Sequence, residues 1–179
     1  MALKQDFEFI SGLSSKFFQR SHIKTTLKAI DLSSMTGWEK WLQIELAAFI
    51  QSRLEIKARF RESSYELDKR VVASRKKCAV DFLVHQKFKQ SHMALELKQV
   101  NSATACIQGM IRDKKKIHAI KNAKYDIRSV WCVGVHRSCE PAEVARLAAY
   151  YGSKLKYPVN PKLLVTEKIG YSPFMFTVF

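Results

Sequence analysis

The chain has 179 residues and a formal net charge of +15, from 31 Lys and Arg against 16 Asp and Glu, with 47% apolar residues. That is enough for one domain with a real hydrophobic core, and no shift of composition marks a second. No stretch approaches the ~20 apolar residues needed to cross a bilayer. An excess of positive charge this large, with a pI near 9.8, draws polyanions, nucleic acid first among them.

The start of the sequence, Met1-Ala2-Leu3-Lys4-Gln5-Asp6, lacks the basic-then-apolar pattern of a secretory signal. Folding in the cytosol is the expectation, and export without a cleavable signal stays open. Cys78, Cys106, Cys132 and Cys139 show neither the paired spacing of a zinc site nor the density of a disulfide framework, which points to free thiols in a reducing compartment.

Residues 1–36 mix Phe7, Phe9, Ile10, Leu13, Phe17 and Phe18 with polar residues, and are predicted to form a helical appendage of one or two short helices packed on the core. A domain over residues 37–179 follows. Its first helix starts near Thr36-Gly37, with Ser34 or Thr36 as N-cap and Trp38, Trp41, Leu42, Ala48 and Phe49 on one face. Glu45 stands four residues from both Trp41 and Phe49, so it should face inward with them.

Residues 54–73 alternate as a strand or hairpin. The runs 77–88 and 92–100, separated by the polar turn Lys87-Phe88-Lys89-Gln90-Ser91, predict a β-hairpin. A helix over 103–122 comes next, with Ile107, Met110, Ile111, Ile117 and Ile120 as its apolar stripe and residues 112–116 as a basic flank. Residues 129–135 read as a strand buried on both faces. The segment 143–151 reads as a helix after Pro141, and the runs 162–165 and 174–179 as strands. The order predicts an α/β fold with a central mixed sheet flanked by helices.

Two segments carry the chemistry. Asp81 interrupts the apolar run Cys78-Ala79-Val80-Asp81-Phe82-Leu83-Val84, where burying even a neutral polar group without a partner costs roughly 2–7 kcal/mol. Glu96-Leu97-Lys98 closes the next apolar run, with Glu96 and Lys98 on one face because residues two apart in a strand share a face. A divalent metal would remove the cost of burying the carboxylates. Strand-borne carboxylates with a lysine are also what a metal-dependent phosphodiesterase requires, a hard cation taking oxygen ligands and an attacked phosphate needing positive charge. Plainer explanations exist for each: a surface cross-strand charge pair for Glu96 and Lys98, an ion pair to Arg70 or Arg75 for Asp81, and solvent for Glu45.

With a helical Glu45, a strand Asp81 and the motif Glu96-x-Lys98, residues 38–135 resemble the PD-(D/E)xK nuclease superfamily, whose restriction-endonuclease-like fold is a central mixed sheet flanked by helices. Val80 stands where many members carry a proline. The resemblance implies an Mg²⁺-dependent nuclease, with Mn²⁺ able to substitute, that hydrolyses phosphodiester bonds to 5′-phosphate and 3′-hydroxyl ends. It implies Asp81, Glu96 and the Leu97 carbonyl as metal ligands, Glu45 on a second ion or a bound water, and Lys98 assisting the attacking water. It also implies a helical Gln108 near the site. Arg75, Lys76, Lys77, Arg112, Lys114, Lys115, Lys116, Lys121 and Lys124 would contact phosphates without reading sequence. The expected partner is nucleic acid, DNA ahead of RNA, with no membrane; a homodimer and a protein inhibitor stay open. The rival is a catalytically inactive nucleic-acid-binding protein on the same fold.

Overall fold

The computed structural model describes residues 2–66, 77–120 and 126–179, and of residues 58–66, 77 and 78 the backbone alone. Three helices come first: α1 (Ala2–Phe18), α2 (Ser21–Leu32) and α3 (Glu39–Gln51). Strands β1 (Ile56–Glu66), β2 (Lys77–Gln86) and β3 (His92–Gln99) follow, then α4 (Ala103–His118), β4 (Ile127–Arg137), α5 (Pro141–Lys154), β5 (Val165–Lys168) and β6 (Phe174–Val178). The strands form one mixed sheet in the order β1-β2-β3-β4-β6-β5. Among the described residues only β3 and β4 are parallel, and α4 supplies the crossover that a parallel pair needs.

Side-chain parity assigns the layers. On β3, Met93, Leu95 and Leu97 point to the face covered by α1, α2 and α3, together with Trp131, Val133 and Val135 of β4. Ala94 and Val130 point the other way, toward Ile117 of α4, and Cys132 packs under Met110 and Ile111. At Gly134 the approach of α4 is so close that an added Cβ would stand 2.3 Å from Met110 Sδ and 2.8 Å from Cys106 Sγ. The missing side chain is what lets the helix lie on the sheet.

The expected N-terminal appendage is part of the main core. Ile10, Leu13, Phe17, Phe18, Ile23 and Leu27 are buried in the same cluster as the central strands. A buried ion pair ties α1 down as well. Asp6 accepts from Arg128 at the start of β4 and from Ser129 Oγ at 2.7 Å, and Ser129 in turn accepts from Trp131 Nε1 at 3.0 Å.

Helix α3 starts later than expected. Neither Ser34 nor Thr36 caps it; Trp38 holds the N-cap position without a side-chain hydrogen bond. Ser34 and Gly37 instead take positive φ, 50° and 71°, in the turn before it. Leu42, Leu46, Phe49 and Ile50 form its buried stripe, and Ala48 is exposed. In the tail, residues 161–163 form a single 3-10 turn, so β5 begins at Val165 rather than at Lys162. Cys106, Cys132 and Cys139 are free thiols. Among the described residues no helix is long and apolar enough to cross a membrane.

Candidate carboxylate site between β2, β3 and α4

The hairpin of β2 and β3 pairs Phe82 with Leu95, Leu83 with Ala94 and Val84 with Met93. One step further along, side chains take over from the backbone ladder. Leu97 N–H donates to Asp81 Oδ2 at 2.9 Å, and Asp81 N–H donates to Glu96 Oε1 at 3.3 Å. The two carboxylates therefore stand face to face where the strands begin to part, each giving one oxygen to the other strand's backbone.

Burial raises both pKa values, and a neighbouring negative charge adds to the rise at each, as expected for carboxylates in a poorly solvated site. Glu96 is only 7% exposed. Desolvation, then the charges of Asp81 and Asp113, push its carboxyl up to about 8. Asp81 is raised by burial first; the Leu97 N–H opposes that rise, the charge of Glu39 adds to it, and a side-chain hydrogen bond from Gln43 opposes it again.

Lys98 stands on the same face of β3 as Glu96, next to α4. Its ammonium lies 3.4 Å from Asp113 Oδ2, and Lys116 reaches the other oxygen of Asp113 at 3.2 Å. Gly109, one turn earlier on α4, makes room: a Cβ there would sit 3.1 Å from Lys98 Cε. Burial pulls the Lys98 pKa down, but the charges of Asp113, Glu39 and Glu96 outweigh it and hold the pKa above its ordinary value.

The helical glutamate that joins this group is Glu39, not Glu45. Glu39 lies in the first turn of α3, and its Oε2 accepts from Gln99 N–H at 2.8 Å at the end of β3. Its charge acts on both Asp81 and Lys98. Glu45, two turns on, points away and meets His22 Nε2 of α2 at 3.0 Å on the surface. The inward-facing reading failed because Glu45 sits beside the buried stripe, not on it. A helix end can also reach past the sheet, which periodicity does not register.

The remaining expected residues divide. Leu97 donates its amide to Asp81 and packs its side chain into the main core. Gln108 is half-buried beside Gly109, and among the described residues its side chain joins none of the hydrogen bonds of the cluster. Arg112 is exposed. Lys116 belongs to the cluster through Asp113, Lys115 donates to the Leu155 carbonyl at 3.0 Å, and Lys114 turns inward over Trp131. Lys114, Lys115 and Lys116 are thus each half-buried and engaged with other parts of the fold. Arg75, Lys76, Lys121, Lys124 and the side chain of Lys77 lie outside the described residues, as do Arg70 and any ion pair it or Arg75 would make with Asp81. His85 and His92, opposite each other across the hairpin, stack at 4.6 Å between ring centroids, away from the carboxylates in sequence and register.

Among the described residues no three of His, Cys, Asp and Glu are gathered closely enough to hold a metal ion. Two adjacent carboxylates are nonetheless a donor set that suits Mg²⁺, which takes one or two carboxylates and completes its octahedron with water and substrate phosphate. The chain matches no protein-family model, no curated protein and no solved structure.

Proposed function

We propose that this protein is an Mg²⁺-dependent nuclease acting on DNA, on a restriction-endonuclease-like fold. The observation that carries the reading is the meeting of Asp81 and Glu96 on one face of the hairpin, both with raised pKa values, beside the protonated Lys98. Two ionised carboxylates pressed together in a desolvated place destabilise the fold, and a cation held between them would offset that cost.

Asp81 and Glu96 would hold the ion, with a further oxygen from the Leu97 carbonyl; Gln43 would fix Asp81 through its side-chain hydrogen bond, and Glu39 would hold the end of β3 through Gln99 N–H. The ion, when bound, would supply Lewis-acid charge to the attacked phosphate and to the leaving oxygen. Lys98 keeps its proton, so its part is that of a positive charge and hydrogen-bond donor to water and phosphate rather than of a base. Hydrolysis then adds water across the P–O bond, leaving a 5′-phosphate and a 3′-hydroxyl. The overall charge of +15 favours a polyanionic substrate.

One observation favours the second reading, an inactive nucleic-acid-binding protein: Lys98 is already engaged by Asp113. Supercoiled plasmid separates the two. Cleavage that needs Mg²⁺ or Mn²⁺, stops with EDTA and is lost in Asp81→Ala supports the nuclease. Unaltered plasmid with tight, salt-sensitive binding supports the binder.

A further inference from the structure

A cavity of about 210 Å³, lined by neither Asp81 nor Glu96, lies beside the last turns of α4, the first half of β4 and the segment 157–163. Its wall includes Lys114, His118, Trp131, Tyr157, Asn160 and Phe179. Lys114 follows Ile107, Met110 and Ile111 on the buried stripe of α4, so its stem is directed at the sheet. The ammonium ends 5.1 Å from the centroid of the Trp131 ring and 5.6 Å from that of Phe179. Ring faces attract a cation but give it no oxygen. An ammonium carries three donors and no acceptor, and among the described residues no carboxylate forms an ion pair with Lys114. Burial accordingly pushes its pKa down.

The other groups on the wall show what is missing. Arg128, the second cation there, is already spent on Asp6, Gln86 and the Ser91 carbonyl. The Tyr157 hydroxyl lies 2.9 Å from His118 Nδ1 and keeps its proton, its pKa pushed up to about 12 by burial. Asn160 caps the 3-10 turn through its side-chain oxygen, accepting from Lys162 N–H, which leaves its amide donors for other use. Donors surround the cavity, and the positive charge that reaches it forms no ion pair with a carboxylate among the described residues. The volume is below the roughly 300–1,000 Å³ of sites for drug-sized ligands.

We propose that this cavity is a binding site for a phosphate group, with the Lys114 ammonium as counter-charge, the Asn160 amide as one neighbouring donor and the hydrogen-bonded pair of Tyr157 and His118 as the source of another. The site is separate from the carboxylates and does not rest on the nuclease reading. A tetrahedral anion with several acceptor oxygens suits converging donors better than a planar carboxylate.

The three tryptophans give three indole N–H signals in a nitrogen-15 correlation spectrum, and Trp131 is the one on the cavity wall. Inorganic phosphate, titrated against chloride at constant ionic strength without divalent metal, should shift the Trp131 signal along a saturable curve. Lys114→Met, which keeps an apolar stem against the rings, should weaken that binding at least tenfold. Tyr157→Phe should weaken it by a smaller factor. A nucleoside 5′-monophosphate binding more tightly than inorganic phosphate identifies a nucleotide source, and weaker binding identifies free phosphate. No saturable shift in the unmodified protein would overturn the proposal, as would an equal response in Lys114→Met or acetate binding at the same midpoint.

Discussion

Strand β3 presents two faces that obey opposite rules. Met93, Leu95 and Leu97 are buried among α1, α2 and α3 with no polar group to satisfy. Ala94, Glu96 and Lys98 alternate with them and turn toward α4, where a carboxylate and an ammonium are held half out of water by Asp81 and Asp113. The first face is built to lower the free energy of the fold. The second raises it at the carboxyl groups, because Glu96 and Asp81 sit in a poorly solvated place and their pKa values move against ionisation, while Lys98 is held ionised by its acidic neighbours. A strand that carries both is stable on one side so that it can be strained on the other.

Substitutions on the polar face should give the largest change in rate. If the nuclease reading holds, Asp81→Asn and Lys98→Met each lower plasmid cleavage by about 100-fold or more, since each removes a charge placed for the reacting phosphate. Their thermal unfolding should stay cooperative. On the apolar face the effect is on stability: Leu95→Ala, at a position 1% exposed, should cost about 3 kcal/mol in urea unfolding. Cleavage per folded molecule should change little.

The pH dependence of stability sharpens the contrast. Glu96 has a pKa near 8 in the folded chain against an ordinary 4.5, so between these values the folded state holds more protons than the unfolded one. Stability must then fall as pH rises through that window and level off above about 8. Asp81, also raised, acts in the same direction. Glu96→Gln removes the larger part of this slope and should make the protein more stable at about pH 8.5 while abolishing cleavage. A variant that loses stability at that pH would show that the carboxylate is a structural partner rather than a strained one.

Much of this was legible in the sequence, for reasons particular residues make clear. Two apolar runs broken only by Asp81 and Glu96-x-Lys98 located the hairpin and the face, because the period of a strand is two and admits one solution. Glu39 escapes a reading by helical face because it reaches the end of β3 from the start of α3; an acidic residue in a first turn is the signal the sequence offers. Lys114 was misread for a related reason. Its run of basic neighbours suggests a solvated flank, yet its spacing from Ile107, Met110 and Ile111 puts it on the buried stripe. The contacts that fix Asp6 to Arg128 and Ser129, more than 120 positions away, had no local signature at all.

The smallest expected effects separate the two glutamates of α3. Glu39→Gln should slow cleavage about tenfold, by loosening the end of β3 and the setting of Asp81 and Lys98, while Glu45→Gln stays within about twofold as an exposed substitution. Equal effects would move the site away from the start of α3.

The pairing of Asp81 with Glu96 as one cation-holding unit is tested most directly by calorimetric titration of the full chain with Mn²⁺. The unmodified protein should bind about one ion saturably, and both Asp81→Asn and Glu96→Gln should abolish that binding while Glu45→Gln leaves it intact. Undiminished binding in the two variants, or none in the unmodified protein, would contradict it.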